Sequence, residues 1–208
     1  MSYRTIGIVD YGVGNLASVW RALHGLGYRC RISSDRTVLD ATDVLLLPGV
    51  GAFPSAMHAL HQHDMVDFLQ VQARLGKPVI GICLGMQLLA DTSDEIQQTA
   101  GLGLIPGAVQ ELADPATKWH IGWNGIEVTS DDPAFKSSDG RSFYFNHSFV
   151  FHAPTEYVSG VARITQGQEA FPVAVRRNNI VGLQFHPEKS QAAGHELMGK
   201  IIEGVCHA

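Results

Sequence analysis

The chain has 208 residues, a length that suits one α/β domain and is short for two. Hydrophobic residues make up 45% and charged residues 17%, which excludes a disordered chain, and its short apolar runs fall far below the roughly 20 residues that cross a bilayer. The net charge of −5 leaves no basic field for a nucleic-acid partner, and three cysteines, odd and few, fit free thiols in a reducing, cytoplasmic setting.

Met1 to Thr5 leads directly into a strand, without the charged and apolar regions of a secretory leader. Three short apolar runs are each followed by a glycine-bearing loop. Ile6-Gly7-Ile8-Val9-Asp10 precedes Tyr11-Gly12-Val13-Gly14, Val44-Leu45-Leu46-Leu47 precedes Pro48-Gly49-Val50-Gly51, and Val79-Ile80-Gly81-Ile82 precedes Cys83-Leu84-Gly85. Each reads as a buried strand ending in a tight turn. Between them, residues 15–26 and 56–75 carry apolar side chains at helical spacing. Strand, loop and helix in repetition predict an α/β fold, with a mostly parallel sheet covered by helices and ligands bound at the carboxyl ends of the strands.

From residue 126 onward the pattern changes. Residues 126–129, 142–145, 158–164, 173–175 and 180–185 read as short, mostly antiparallel strands, separated by turns at Asp131-Asp132-Pro133 and Ser137-Ser138-Asp139-Gly140. A closing helix spans 194–205. No linker, repeat or low-complexity tract divides the chain, so residues 1–208 are read as one domain.

Gly81-Ile82-Cys83-Leu84-Gly85 has the G-x-nucleophile-x-G form, with cysteine as the nucleophile. Glycines flank it because side chains there would clash in a strained turn. Leu84 to Ala90 continues with good helix formers, so Cys83 is expected at an exposed elbow, at a helix N-terminus whose dipole favours the thiolate. A thiolate needs a proton carrier. His186, in Gln184-Phe185-His186-Pro187-Glu188, ends an apolar strand, and Glu188 two residues on can fold back to orient its ring. The Pro48-Gly49-Val50-Gly51 backbone can present N–H groups to an oxyanion, with the N–H of Leu84 as a second donor. Cys30 and Cys206 lack such a context and read as structural. His61 and His63 read as solvated, no cysteine or histidine cluster has zinc spacing, and neither a metal nor a cofactor is expected. Gly12-Val13-Gly14-Asn15-Leu16-Ala17 with Asp35 imitates a dinucleotide-binding turn, but that reading leaves the cysteine elbow and the histidine motif without a purpose.

Taken together, Pro-Gly-x-Gly, then Gly-Ile-Cys-Leu-Gly-Met-Gln, then Gln-Phe-His-Pro-Glu-Lys-Ser resemble class I glutamine amidotransferases over nearly the whole chain. The segments Asp10-Tyr11-Gly12-Val13-Gly14-Asn15, His120-Ile121-Gly122-Trp123-Asn124 and Tyr144-Phe145-Asn146-His147-Ser148 narrow the resemblance to glutaminase subunits that serve a cyclase in histidine biosynthesis. The resemblance implies a flavodoxin-like fold and L-glutamine as substrate. It implies Cys83, His186 and Glu188 as the catalytic set, and Val50, Gly51 and Leu84 as the oxyanion hole. Gln87, Glu95, His147 and Ser148 would hold the amino-acid end of the substrate. It also implies a heterodimer with the cyclase subunit, joined by an ammonia tunnel, for which Asn15, Trp123 and Lys189 are the expected contacts. A surface-sugar synthase is the alternative partner, and a catalytically idle subunit on the same fold is the rival from another class. The chain departs from the family pattern at Trp119, where proline is usual, at Asn146, where a small apolar residue is usual, at Phe149, where tyrosine is usual, and at Gln191, where glycine is common.

Overall fold

The computed structural model describes residues 4–112, 118–165 and 169–206. Met1, Ser2 and Tyr3, on which the leader reading partly rests, lie outside these. In the first half, strands β1 (Thr5–Val9), β2 (Arg29–Ser33), β3 (Val44–Gly49) and β4 (Val79–Cys83) alternate with helices α1 (Leu16–Gly25), α2 (Arg36–Asp40), α3 (Phe53–Gln62) and α4 (Met65–Arg74), and α5 (Leu84–Leu88) follows β4 directly. The second half contains β5 (Thr92–Ser93), β6 (Thr99–Ala100), β7 (Ala108–Glu111), β8 (His120–Gly125), β9 (Glu127–Val128), α6 (Pro133–Lys136), β10 (Ser142–His147), β11 (Phe149–His152), β12 (Val158–Ala162), β13 (Phe171–Arg177), β14 (Ile180–Leu183) and α7 (Gln191–Val205).

The main sheet runs β2-β1-β3-β4-β14-β13-β12-β9. Its first five strands are parallel and its last three join antiparallel. The sequence expectation of mostly antiparallel late strands therefore holds for β9, β12 and β13, while β14 has one parallel and one antiparallel neighbour. The order 2-1-3-4 followed by the last strand is the flavodoxin-like arrangement, with ligands expected at the strands' carboxyl ends.

At the centre of the sheet both faces are buried. Along β3, Val44 and Leu46 point into a core shared with Val19 and Leu23 of α1 and with Leu197 and Ile201 of α7. Leu45 and Leu47 point into the opposite core, with Phe53 and Met57 of α3 and Leu69 of α4. This two-sided burial is why the strand reads as an unbroken apolar run. A four-stranded sheet (β11-β7-β5-β6) and a two-stranded ribbon (β10-β8) complete the architecture.

The helix expected over residues 56–75 is two helices. Asp64 takes φ 53, a left-handed conformation that ends α3 and starts α4 at a new angle. Gln191 also has positive φ, 51, at the start of α7, which gives a physical reason for the glycine usual at that position.

The turn between β4 and α5 has the tightest constraint. A Cβ on Gly85 would lie 1.8 Å from the Leu47 carbonyl oxygen, and one on Gly81 2.4 Å from the Gly85 oxygen. These contacts let α5 close onto β3 and β4. We expect Gly85→Ala to lose about 3 kcal/mol of unfolding free energy through overpacking. Gly12→Ala, which has open space around it but φ +82, should lose only about 1 to 2 kcal/mol of backbone strain. Urea unfolding of both variants tests the ranking.

Candidate active site

Cys83 is the last residue of β4 and the cap of α5, with φ 55 and ψ −115. A non-glycine residue in this region is strained, and such strain is found where surrounding structure over-determines a functional side chain. The elbow is less exposed than the sequence suggests: Cys83 is only 6% exposed, because β10 closes over it. The thiol points to the Asn146 carbonyl oxygen at 3.8 Å and receives the Gln184 Nε2–H at 3.9 Å.

His186 follows β14 and enters the single turn Pro187–Lys189. Its backbone N–H donates to the Tyr144 carbonyl, and its own carbonyl accepts from the Ser190 hydroxyl, which in turn accepts from the Tyr144 N–H. The backbone of His186 is thus tied to Tyr144 of β10 through both its N–H and its carbonyl. Nδ1 lies 2.9 Å from Glu188 Oε1, which leaves the other ring nitrogen for Cys83. The Glu188 side chain is 1% exposed, and its Oε2 is buried without a hydrogen-bond partner among the described residues, so the carboxylate is committed to the imidazole. Burial alone would lower the pKa of His186. The hydrogen bonds and charges of Cys83 and Glu188 outweigh it and raise the group to about 9. A protonated imidazole between a thiol and a carboxylate is suited to donating a proton and then taking one back.

These groups border a cavity of about 260 Å³. Its lining includes Val50, Gly51, Cys83, Leu84, Gln87, Glu95, His147, Ser148, His186 and Lys189, all singled out from the sequence. Glu188 stands behind His186. The three other lining residues are Trp119, Asn146 and Phe149, which are three of the four departures from the family pattern. The Pro48–Gly51 loop is pinned by the buried Tyr11 hydroxyl, which donates to the Pro48 carbonyl at 2.8 Å. Glu95 Oε2 accepts the Phe53 N–H at 2.7 Å, supplying the side-chain cap that α3 lacks at Ala52. Burial raises the Glu95 carboxyl, and the Phe53 bond partly offsets that.

Gln87 does not project freely into the cavity. Its Nε2 donates to the Phe149 carbonyl and to Gln184 Oε1, both at 3.0 Å. Gln184 therefore ties Gln87 to Cys83. It was not identified from the sequence, although it precedes His186 by the two-residue step that places both on one side of the chain. His120 was also missed as a site residue. Its Nδ1 lies 2.9 Å from His147 Nε2, and the Asn124 side-chain amide lies 3.2 Å from its Nε2. His147 Nδ1 reaches the Phe149 carbonyl, which can only accept, so His147 carries its proton on Nδ1. His147 Nε2 is then an acceptor, and His120 must donate from Nδ1. Both rings are neutral and fully paired. Burial lowers His120 to about 4 and His147 to about 3.

The three residues expected at a partner interface fall in different settings. Lys189 lies at the cavity, with Nζ 5.7 Å above the Tyr144 ring. Trp123 packs edge-on against the same tyrosine, with ring centroids 6.2 Å apart, and is 51% exposed. Asn15 is outside the cavity lining and caps α1, its Oδ1 accepting from the Ser18 N–H. Asp35, the acid of the dinucleotide imitation, is likewise engaged as the cap of α2. Cys30 and Cys206 are half-buried and unbridged, and burial raises both thiols, Cys30 to about 11. Among the described residues, no group of three histidine, cysteine or acidic side chains could hold a metal ion, and no helix is long and apolar enough to cross a membrane.

A parallel sheet with a cysteine elbow at its carboxyl end and a histidine–glutamate pair facing the sulfur is an arrangement suited to nucleophilic acyl-transfer chemistry. The chain belongs to the class I glutamine amidotransferase family, whose model ("Glutamine amidotransferase class-I") matches residues 7–202. It is 40% identical over 204 residues to the imidazole glycerol phosphate synthase subunit HisH of Bacillus cereus, covering 98% of this chain and 96% of that one. It is 42% identical over 206 residues to the protein of the same name from Moorella thermoacetica, covering 99% and 97%. Among solved structures it resembles a glutamine amidotransferase (TM-score 0.75, 20% identity, 96% of this chain and 98% of that one) and PurLQS from Thermotoga maritima (TM-score 0.74, 19% identity, 97% and 98%). These two likenesses show the fold.

The titrations have opposite signs. His120 and His147 are depressed below their unfolded value of 6.5, so the stability they confer is present above that pH and is lost as pH falls toward 4 and 3. His186 is raised, so its contribution is fully present below 6.5 and lost as pH rises through about 9. The urea midpoint should therefore fall between pH 7 and pH 5, and His120→Asn should flatten that fall. A drop as steep in the variant as in the unaltered protein would contradict the neutral pair.

Proposed function

We propose that the chain is the glutaminase subunit of an imidazole glycerol phosphate synthase, acting as one domain over residues 1–208 in the cytoplasm. The observation that carries the chemistry is the line Cys83–His186–Glu188 at the wall of the cavity. The relatives named above carry the assignment to this synthase. The Cys83 sulfur, its proton held by His186, attacks the side-chain amide carbon of L-glutamine. The resulting oxyanion is held by backbone N–H groups at Val50, Gly51 and Leu84. His186 protonates the nitrogen, the C–N bond breaks, and ammonia leaves a γ-glutamyl thioester. His186 then takes a proton from water as it attacks, which releases glutamate and restores the thiol. Glu188 holds the imidazole in register and stabilises its charged form. Gln87, Glu95, His147 and Ser148 surround the α-amino and α-carboxylate end. The hydrolysis as read here draws on these side chains, on the backbone N–H groups and on water.

Ammonia in water at neutral pH is mostly protonated and has no lone pair for synthesis, so a synthase has to receive it unexposed. A cyclase subunit capping the cavity face meets this need by forming a heterodimer with a tunnel between the two sites. Lys189, at the mouth, and the exposed Ile121 and Trp123 beside it give that face apolar and aromatic anchors of the kind favoured at interfaces. The Asn15 loop extends it, since Gly14 abuts Pro48.

Cys83→Ala should abolish glutamate release while synthesis from added ammonium salts by the complex persists, because the partner performs that step. Retained glutaminase activity would remove Cys83 from its role. His186→Asn should cost several decades in rate and Glu188→Gln fewer. The reverse order would mean that the roles of these two residues are wrongly assigned.

Titration with the synthase subunit provides a separate test. Glutamate release by the isolated chain should be low, should rise as the subunit is added, and should rise further with that subunit's own ligand. A rate already maximal without the partner would contradict the coupling.

A further inference from the structure

Trp119 immediately precedes β8, and Asn146 lies on its ribbon partner β10. Asn146 pairs with Ile121, so Trp119 is its diagonal neighbour on the same face, within reach of a long aromatic side chain. The indole Nε1–H donates to Asn146 Oδ1 at 2.9 Å. Both residues line the cavity. The backbone carbonyl of the same asparagine faces the Cys83 thiol. One residue thus touches the nucleophile through its main chain and holds the indole through its side chain.

Trp119 is 56% exposed. An indole with that exposure would ordinarily sample several rotamers and donate its N–H to water. Here the N–H is spent on Asn146, and the ring is held against the cavity. Because its polar atom is already satisfied, the indole can offer a ligand only apolar surface. The substrate read for this cavity has a matching part: the two methylenes of the glutamine side chain, between the amide at Cys83 and the polar α-carbon groups.

We propose that Trp119, latched by Asn146, forms a roof over the glutamine pocket and is a specificity-determining element that retains the substrate by covering its methylenes. The proposal rests on the glutaminase reading. It concerns binding rather than bond making, so it moves KM and leaves kcat nearly unchanged.

The experiment measures steady-state glutamate release by the complex with the cyclase subunit. Trp119→Ala should raise the KM for glutamine about tenfold, with kcat within about twofold of the unaltered complex. Trp119→Phe keeps a ring without the latch, and Asn146→Ala keeps the indole without its acceptor. Both should give the same intermediate rise in KM, of about threefold. Because the latch acts through the indole, the double variant Trp119→Ala, Asn146→Ala should be no worse than Trp119→Ala alone. Effects that multiply in the double variant, an unchanged KM in Trp119→Ala, or a loss confined to kcat would each overturn the roof. An unaltered complex that releases no glutamate would overturn the glutaminase reading and the roof with it. An active unaltered complex with an indifferent Trp119→Ala would overturn the roof alone.

Discussion

The site depends on the close approach of α5 to β3 at Gly85. With no side chain at that position, the helix backbone rests against the Leu47 carbonyl, and Cys83 is forced into a left-handed turn at the end of β4. The strain at Cys83 is sustained by burial on both sides of the sheet. Cys83 itself belongs to the core shared with α1 and α7, whereas Leu84 belongs to the core shared with α3 and α4. Cys83 therefore sits where both cores meet, and neither can relax without moving it. The β14 strand, parallel to β4, brings Gln184 and His186 to the same end of the sheet.

The elements around this point differ in how far local sequence determines them. β1, β3 and β4 were legible because strands covered on both faces are continuous apolar runs, and each ends in a glycine loop. The break between α3 and α4 was not legible. His63 and Asp64 offer neither glycine nor proline, and the turn exists because Met65 and Phe53 are both drawn into one core. The pairing of β8 with β10 was also beyond local reading. Its register joins residues about twenty apart, and it forms a ribbon separate from both larger sheets.

The site shows the same division. The motif residues Cys83, His186 and Glu188 were legible because each chemistry demands a residue type at a short spacing. The residues at Gln87, Glu95, His147 and Ser148 were reached through family resemblance, and the cavity gathers them although no chemistry at a short local spacing marks their role. Gln184 and His120 act through partners 97 and 27 residues away, Gln87 and His147 respectively. No local pattern marks such pairs, because what places them is the packing of strands from different parts of the chain. Trp119 and Asn146 were visible only as irregularities, and their contact gives those irregularities a shared cause.

The alternation along β8 separates two kinds of inheritance. His120 points inward to His147, while Ile121 and Trp123 point outward to solvent. A strand cannot mix these sets without a register slip that would turn every side chain over. Mutation at the outward positions alters the surface offered to another protein and leaves the imidazole network in place. Mutation at the inward position does the reverse. On the reading proposed above, substitutions at Ile121 and Trp123 would remodel the partner-facing surface while the buried His120–His147 pair stays in place.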